Sequence, residues 1–332
     1  MNKKNKVAIV TGVNGQDGSY LAELLLDKGY KVIGTTRYTS SSEASREERI
    51  SHIKHKEGFI LESCDVTDFS RVNSLVTQHG PDEIYNLAAQ SHVGISYKNP
   101  ISTTNINIMG PINFLESIRN NDKNIKFYQA STSEMFGVNE KCPQNEDTLM
   151  MPISPYAAAK LYAHNMVKIY RDSYGIFACS GILFNHESER RGEEFVTRKI
   201  TKAAARIKLG KQEKLHLGNL KAYRDWGHAR DYVEAMFLML QQSKPEDFVI
   251  STGETHTVEE FLRFVFDYAQ LDLEKHLVID RELFRPSEVP KLWGNYTKAK
   301  EKLGWEPKIK FEELAIKMYE NDLHIENMEK LK

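Results

Sequence analysis

The sequence predicts a doubly wound α/β fold, a parallel sheet with helices on both faces, followed by a smaller α/β lobe. Three observations predict it. Short β-branched runs alternate with longer amphipathic segments through the first half. A glycine-bearing turn follows the first run directly and opens a helix. The rhythm then changes after Phe184, where a polar, Arg-bearing stretch from Asn185 to Glu194 begins.

Each element has its own signal. Val7 to Val10 reads as a buried strand, and Ser19 to Lys28 as a helix closed by Gly29. Lys31 to Gly34 and Gly58 to Leu61 are the next strands, followed by a helix from Phe69 to Gln78. Glu83 to Leu87 and Lys126 to Gln129 are strands on either side of a helix from Ser102 to Arg119. A helix carrying Tyr156 and Lys160 precedes a strand from Ala178 to Phe184. Beyond the polar stretch come a helix with a basic face, Phe195 to Lys208, and a second, Asp231 to Gln242. The expected division is a dinucleotide-binding domain over 1–184 and a substrate lobe over 185–332. The 231–251 segment could return to the first domain.

Composition sets the outer limits. With 332 residues, 40% hydrophobic and 27% charged, the chain can bury a large core and shows no sign of disorder. A formal charge of −1 argues against nucleic acid or an acidic membrane as partner. Cys64, Cys142 and Cys179 lack metal-ligand spacing and are odd in number, so no metal and a reducing compartment are expected. No run of about 18 apolar residues predicts a membrane span, and cytoplasmic is the default expectation.

The turn Gly12-Val13-Asn14-Gly15-Gln16-Asp17-Gly18 carries the cofactor prediction. Glycines let the backbone turn tightly and approach a pyrophosphate, which meets the unpaired N–H groups of the helix start. An acidic residue at the end of the second strand would bind a free ribose 2′-OH. Here stands Arg37 among hydroxyl residues, which suits a 2′-phosphate and favours NADP over NAD. A solvated surface arginine is the alternative. Asp65 and Val66 are expected at the adenine, and Leu87, Ala88, Ala89, Gln90 and Ser91 supply small residues where the chain passes the cofactor.

Tyr156 and Lys160 stand one helical turn apart on one face. A nearby ammonium, helped by a positive nicotinamide ring, would lower the phenol so that it serves as a base. Upstream, Thr132 would hydrogen-bond the reacting hydroxyl, or merely cap the strand end. Glu134 adds a second acid/base group that simple alcohol oxidation does not need. Taken alone it reads equally well as a solvated loop carboxylate.

A hydroxyl residue followed by Tyr-x-x-x-Lys resembles the short-chain dehydrogenase/reductases, and longer runs narrow the resemblance. Ser131 to Gly137, Ser154 to Lys160, Gly181 to Ser188, Phe195 to Ile200, Arg224 to His228 and Phe284 to Pro286 resemble the GDP-mannose 4,6-dehydratases of the extended branch of that superfamily. The resemblance implies a Rossmann-type fold and three steps on one tightly held NADP. Tyr156 takes the C4 hydroxyl proton as hydride leaves C4. Glu134 removes the C5 proton and assists loss of water from C6. Hydride then returns to C6, with a proton to C5, giving a 4-keto-6-deoxy sugar.

The resemblance also implies that His186 and Arg191 help hold the cofactor, and that Ser91, Asn185, Val196, Lys199, Arg224, Arg285 and Glu288 hold a GDP-linked sugar. A structural role for His186 and Arg191, and an Arg285–Glu288 salt bridge, are the bland alternatives. In the family, the segment after Arg37 and the Glu187 to Arg191 stretch meet neighbouring subunits, implying a homodimer or homotetramer. The chain departs from the family at Tyr38, where a second Arg is usual, and at Ser102, where a Tyr is common; Asn14, Ala89 and Gln90 are milder variants. GDP-D-glycero-D-manno-heptose 4,6-dehydratases share the catalytic residues, so the hexose stays open against the heptose. An NDP-sugar epimerase or reductase is the more distant alternative, which Glu134 speaks against.

Overall fold

The structure, a computed structural model, describes residues 5–37 and 48–330. Tyr38 and the rest of the segment expected to meet a neighbouring subunit lie outside the described residues.

Seven strands form one parallel sheet: β1 (Val7–Thr11), β2 (Lys31–Thr36), β3 (Phe59–Ser63), β4 (Glu83–Asn86), β5 (Lys126–Thr132), β6 (Ala178–Leu183) and β11 (Phe248–Ile250). Their spatial order is β11-β6-β5-β4-β1-β2-β3. Ile9 pairs with Ile33 on one side and Ile84 on the other. Strands buried on both faces need near-continuous apolar runs, which is why these segments lack strict alternation. Strand order reverses between β1 and β4, and at that point ligands enter the crevice beyond the carboxyl ends of a parallel sheet. The Thr11 hydroxyl holds the crevice in shape. It donates to Asn86 Oδ1 and accepts from the Leu87 and Ala88 N–H groups, all at 2.9 Å.

Helices α1 (Gln16–Asp27), α2 (Phe69–His79), α3 (Val93–Lys98), α4 (Pro100–Thr104), α5 (Gly110–Asn121) and α6 (Pro155–Tyr174) fill the crossovers. The helix expected from Ser102 to Arg119 is broken. A π-turn over Asn105–Met109 separates α4 from α5. Pro111 lacks an N–H and its ring crowds the carbonyl four residues back, at Asn107, so the turn before it widens. The π-turn has a structural use: Asn107 accepts from Gln90 N (2.9 Å) and donates to Gln90 O (3.0 Å), pinning the chain after β4.

After β6 the chain builds the second lobe. Its paired strands are β7 (Asn185–Glu187) with β10 (Trp226–His228), β8 (Leu215–Leu217) with β13 (Leu277–Ile279), and β9 (Tyr223–Arg224) with β12 (His256–Thr257). Helices α7 (Val196–Lys208), α9 (Val258–Tyr268), the short α10 (Leu273–His276) and α12 (Phe311–Lys330) lie with them, and α11 (Thr297–Leu303) packs beside β11. Phe261, Leu262, Val265 and Phe266 from α9 share one apolar core with Ile200 of α7 and Met318 of α12. Cations of α7 are neutralised by α12: Arg198 Nη2 reaches Asp322 at 2.6 Å and Arg206 reaches Glu326 at 2.7 Å. Helix α8 (Ala229–Leu240) packs its Tyr232, Met236 and Leu240 into the sheet core against Leu21 and Leu25 of α1, and β11 pairs with β6.

Candidate active site

A cleft of about 1510 Å³ runs along the carboxyl ends of the strands and beneath the second lobe. Single small-molecule sites measure roughly 300–1,000 Å³, so this cleft has room for a dinucleotide and a second ligand together. The structure brings every sequence-predicted site residue to its wall except Val13. Val13 is fully buried and fills the space above Gly34, so any ligand contact falls to its backbone.

At one end, Gly15 caps α1 with no side-chain acceptor, so the helix presents backbone N–H donors to an anion. A Cβ on Gly18 would lie 2.3 Å from Gly12 O, which shows how closely the turn folds onto its own helix. Arg37 is exposed at the end of β2, with no ion-pair partner among the described residues. This donor set fits a phosphorylated dinucleotide. Arg49, which sequence reading missed because no local motif marks it, donates to Asn14 O at 3.3 Å and braces the turn.

The reactive end is assembled by two short signals. Strand β5 ends where the Thr132 hydroxyl accepts from Glu134 N (3.3 Å) and starts a 3-10 turn, Ser133–Phe136. Gly137, at φ +57°, stops the turn; a Cβ there would fall 1.6 Å from Met151 O. Ser154 caps α6 through Ala157 N (3.1 Å) and Pro155 takes its first turn. Tyr156 and Lys160 thus share the buried face of α6, with Lys160 Nζ 5.9 Å from the Tyr156 ring centre and bonded to Ala130 O at 2.9 Å.

Glu134 is not a solvated loop carboxylate: its side chain is only 10% exposed. Burial pushes the Tyr156 phenol up to about 12; the Glu134 and Asp17 carboxylates add to this, while the Thr132 hydroxyl and Arg191 oppose it. Burial likewise pulls Lys160 down to about 8, against the pull of Asp17. The expected lowering of the phenol by Lys160 is therefore not met by the protein alone, because burial disfavours both charged forms. The positive nicotinamide ring is the remaining contribution in that expectation.

The second lobe faces Glu134 with a relay of charges. Arg224 Nη2 contacts Glu288 at 2.6 Å, Glu288 accepts from Arg285 Nη1 at 3.1 Å, and the same Nη1 lies 3.9 Å from Glu134 Oε1. Ion pairing and cleft lining thus coexist at Arg285 and Glu288. Lys199 is half-buried on the wall, and burial lowers it. Among the described residues the buried Oδ1 of Asn185 has no partner, aligned with a role as acceptor for a ligand. His92, another residue missed from sequence, lies in the cleft with its ring 5.3 Å from that of Phe195, which Arg191 covers from 3.6 Å.

His186 is held within the protein: its Nε2 lies 2.7 Å from Asp17 Oδ2, its Nδ1 2.7 Å from Phe184 O, and its ring stacks on Tyr232 at 4.5 Å. Arg191 Nε lies 3.0 Å from Glu187. Both residues line the cleft as well, so the structural and ligand-facing roles weighed from sequence are not exclusive.

Comparison with known proteins places this geometry. The chain shares 50% identity with a GDP-mannose 4,6 dehydratase of Arabidopsis thaliana, over 99% of this chain and 93% of that protein. It shares 45% with the human GDP-mannose 4,6 dehydratase, over 98% and 93%. Among solved structures, a UDP-glucose 4-epimerase from Thermotoga maritima with UDP-glucose superposes with a TM-score of 0.83 at 28% identity, over 97% of this chain and 99% of the other. A dTDP-glucose 4,6-dehydratase from Bacillus anthracis in complex with NAD shares the fold, with a TM-score of 0.83 at 22% identity over 98% of each chain. The family profile described as GDP-mannose 4,6 dehydratase matches residues 9–318, and the chain belongs to that family.

Proposed function

We propose that this protein is a hydro-lyase that converts GDP-mannose to GDP-4-keto-6-deoxymannose and water with bound NADP. The observation that carries the reading is the meeting of Thr132, Tyr156 and Glu134 in one buried corner, where alcohol oxidation alone would need no carboxylate as a second acid/base group. Bound NADP supplies the acceptor for the C4 hydride and its later donor, so the sugar undergoes no net oxidation.

The chain's own residues do the rest. Thr132 hydrogen-bonds the C4 hydroxyl and Tyr156 Oη takes its proton, with Lys160 beneath the phenol in the same buried face. Once C4 is a ketone, the C5 proton is acidic, and Glu134 removes it. The same carboxyl then protonates the departing C6 hydroxyl, a second use of one group made possible by its burial away from bulk water, and C5 must regain a proton as C6 is reduced.

The phosphate turn from Gly12 to Asp17 takes the pyrophosphate of the cofactor, Arg37 the 2′-phosphate, Asp65 and Val66 the adenine, and the Leu87 to Ser91 segment the nicotinamide side. Asn185, Val196, Lys199, Arg224, Arg285 and Glu288 take the GDP-sugar, with the two arginines suited to its diphosphate. We assign residues 1–184 together with 231–251 to the dinucleotide domain and the remaining C-terminal residues to the substrate lobe.

Among the described residues no helix is long and apolar enough to cross a membrane. The free Cys64, Cys142 and Cys179 fit a reducing compartment, and we place the enzyme in the cytoplasm. Ile101, Met109, Tyr162 and Ile169 leave apolar surface on α4, the π-turn and α6, which supports a homodimer or homotetramer.

The test offers GDP-mannose and GDP-D-glycero-D-manno-heptose in parallel and weighs each product by mass. Loss of one water from GDP-mannose is expected. Turnover of the heptose alone would move the reading to that substrate, and a product of unchanged mass would point to an epimerase. Denatured protein is expected to release NADP; recovery of NAD alone would overturn the role of Arg37.

A further inference from the structure

Asp17 stands in the first turn of α1, on the wall where the proposed pyrophosphate binds. A carboxylate there is well placed for the helix dipole but badly placed for an anionic ligand, which would seek the same positive end. Among the described residues the Asp17 carboxylate has two side-chain donors, Gln16 Nε2 at 3.0 Å and His186 Nε2 at 2.7 Å. His186 has no freedom in its own bonding. Nε2 faces a carboxylate oxygen and Nδ1 faces the Phe184 carbonyl at 2.7 Å, both pure acceptors, so both ring nitrogens must carry hydrogen. That is the imidazolium form. The ring is stacked on Tyr232 at 4.5 Å, and the His186 backbone is tied to the turn by Gln16, whose Nε2 donates to His186 O at 3.0 Å.

We propose that His186 is a positioning residue that neutralises Asp17, holding its carboxylate away from the dinucleotide so that the turn stays receptive to a pyrophosphate. This rests on the reading of the cleft as a dinucleotide site. The arrangement also ties the phosphate turn of the first domain to β7, at the start of the second lobe. A loose Asp17 would act on the reaction as well as on binding, since its charge works on both Tyr156 and Lys160.

The experiment titrates NADP⁺ into full-length protein stripped of dinucleotide, comparing wild type with His186→Gln, Asp17→Asn and the double variant. Glutamine can still donate to Asp17 but cannot carry the charge. His186→Gln is expected to weaken NADP⁺ binding roughly tenfold, the scale of one uncompensated charge several ångströms from a diphosphate at the protein surface. Adding Asp17→Asn to His186→Gln should bring affinity to within about threefold of Asp17→Asn alone, because the loss in the His186 variant needs the Asp17 charge. Thermal unfolding of the stripped proteins reports whether each variant is folded. An unchanged affinity in His186→Gln, or a double variant further weakened relative to Asp17→Asn alone, overturns the proposal. If His186→Gln does not fold, the double variant against Asp17→Asn decides: equal affinities support neutralisation, and a further loss in the double variant overturns it. A wild type that binds neither NADP⁺ nor NAD⁺ defeats the dinucleotide reading itself, an outcome distinct from any pattern among the variants.

Discussion

Glu134 and Tyr156 occupy one buried corner but are asked for different protons, and substitution should separate them. Glu134→Gln keeps shape and hydrogen bonding but cannot accept the C5 proton. It should lower product formation by about 10²-fold or more, while reduced nicotinamide still appears after GDP-mannose is added. Product at near wild-type rate would falsify the role of Glu134. Tyr156→Phe removes the group for the C4 hydroxyl, so stopped-flow absorbance should show no reduced-nicotinamide transient; a normal transient excludes Tyr156 as the base. Sequence made the identities of these residues legible, because a hydroxyl, a carboxylate and Tyr-x-x-x-Lys stand at short fixed spacings. It did not reveal the Arg285 guanidinium 3.9 Å from Glu134, which comes from a position 151 residues further on (285 − 134).

At the scale of elements, the catalytic geometry depends on where short pieces of backbone stop. The 3-10 turn bearing Glu134 ends at Gly137, whose φ of +57° and ψ of −135° are costly for any residue with a Cβ. With a Cβ placed 1.6 Å from Met151 O, Gly137→Ala must displace the turn or the 149–152 chain. Activity should fall at least tenfold and stability by about 2 kcal/mol or more, read from turnover and urea unfolding. Wild-type values for both would show that this stop is dispensable. In the second lobe, Phe261 on α9 touches Trp226 at 5.5 Å and Phe311 at 5.8 Å. Phe261→Ala should cost about 3–5 kcal/mol, with the ends of α7 and α12 losing hydrogen-exchange protection first. Six of the seven sheet strands were readable as short apolar runs, whereas β11 was foreshadowed only by the possible return of the 231–251 segment. The break between α4 and α5 was not readable, since apolar spacing continues through the π-turn while Pro111 alters only the hydrogen bonding.

Across the whole molecule, Asp225 joins parts that are distant in sequence. From the bend between β9 and β10 it accepts from Thr252 N (2.8 Å), Thr252 Oγ1 (2.7 Å), Gly253 N (3.1 Å) and Gly294 N (3.2 Å). Burial outweighs these donors and raises its carboxyl from the ordinary 3.8 to about 7. Between those values the folded protein keeps a proton that the unfolded chain releases. The contribution to stability is therefore fully present below the unfolded value and is lost as pH rises through the folded one. Denaturant unfolding over this range should show wild-type stability falling relative to Asp225→Asn; parallel curves for the two proteins would contradict the assignment. Nothing in the Arg224-Asp225-Trp226-Gly227-His228 run indicates this clasp, because three of its four donors are backbone N–H groups supplied by remote loops.

By itself the sequence determined the parallel sheet, the glycine turn at its switch point and the Thr132, Glu134, Tyr156 and Lys160 set, since each depends on residues near one another in the chain. Only the tertiary structure decided how those groups are charged and aimed. Burial pushes Tyr156 and Lys160 in opposite directions from their ordinary values, His186 meets Asp17 across 169 positions, and Arg285 approaches Glu134 from the other lobe. Charge state is set by desolvation and by neighbours in space, and neither is written in local spacing.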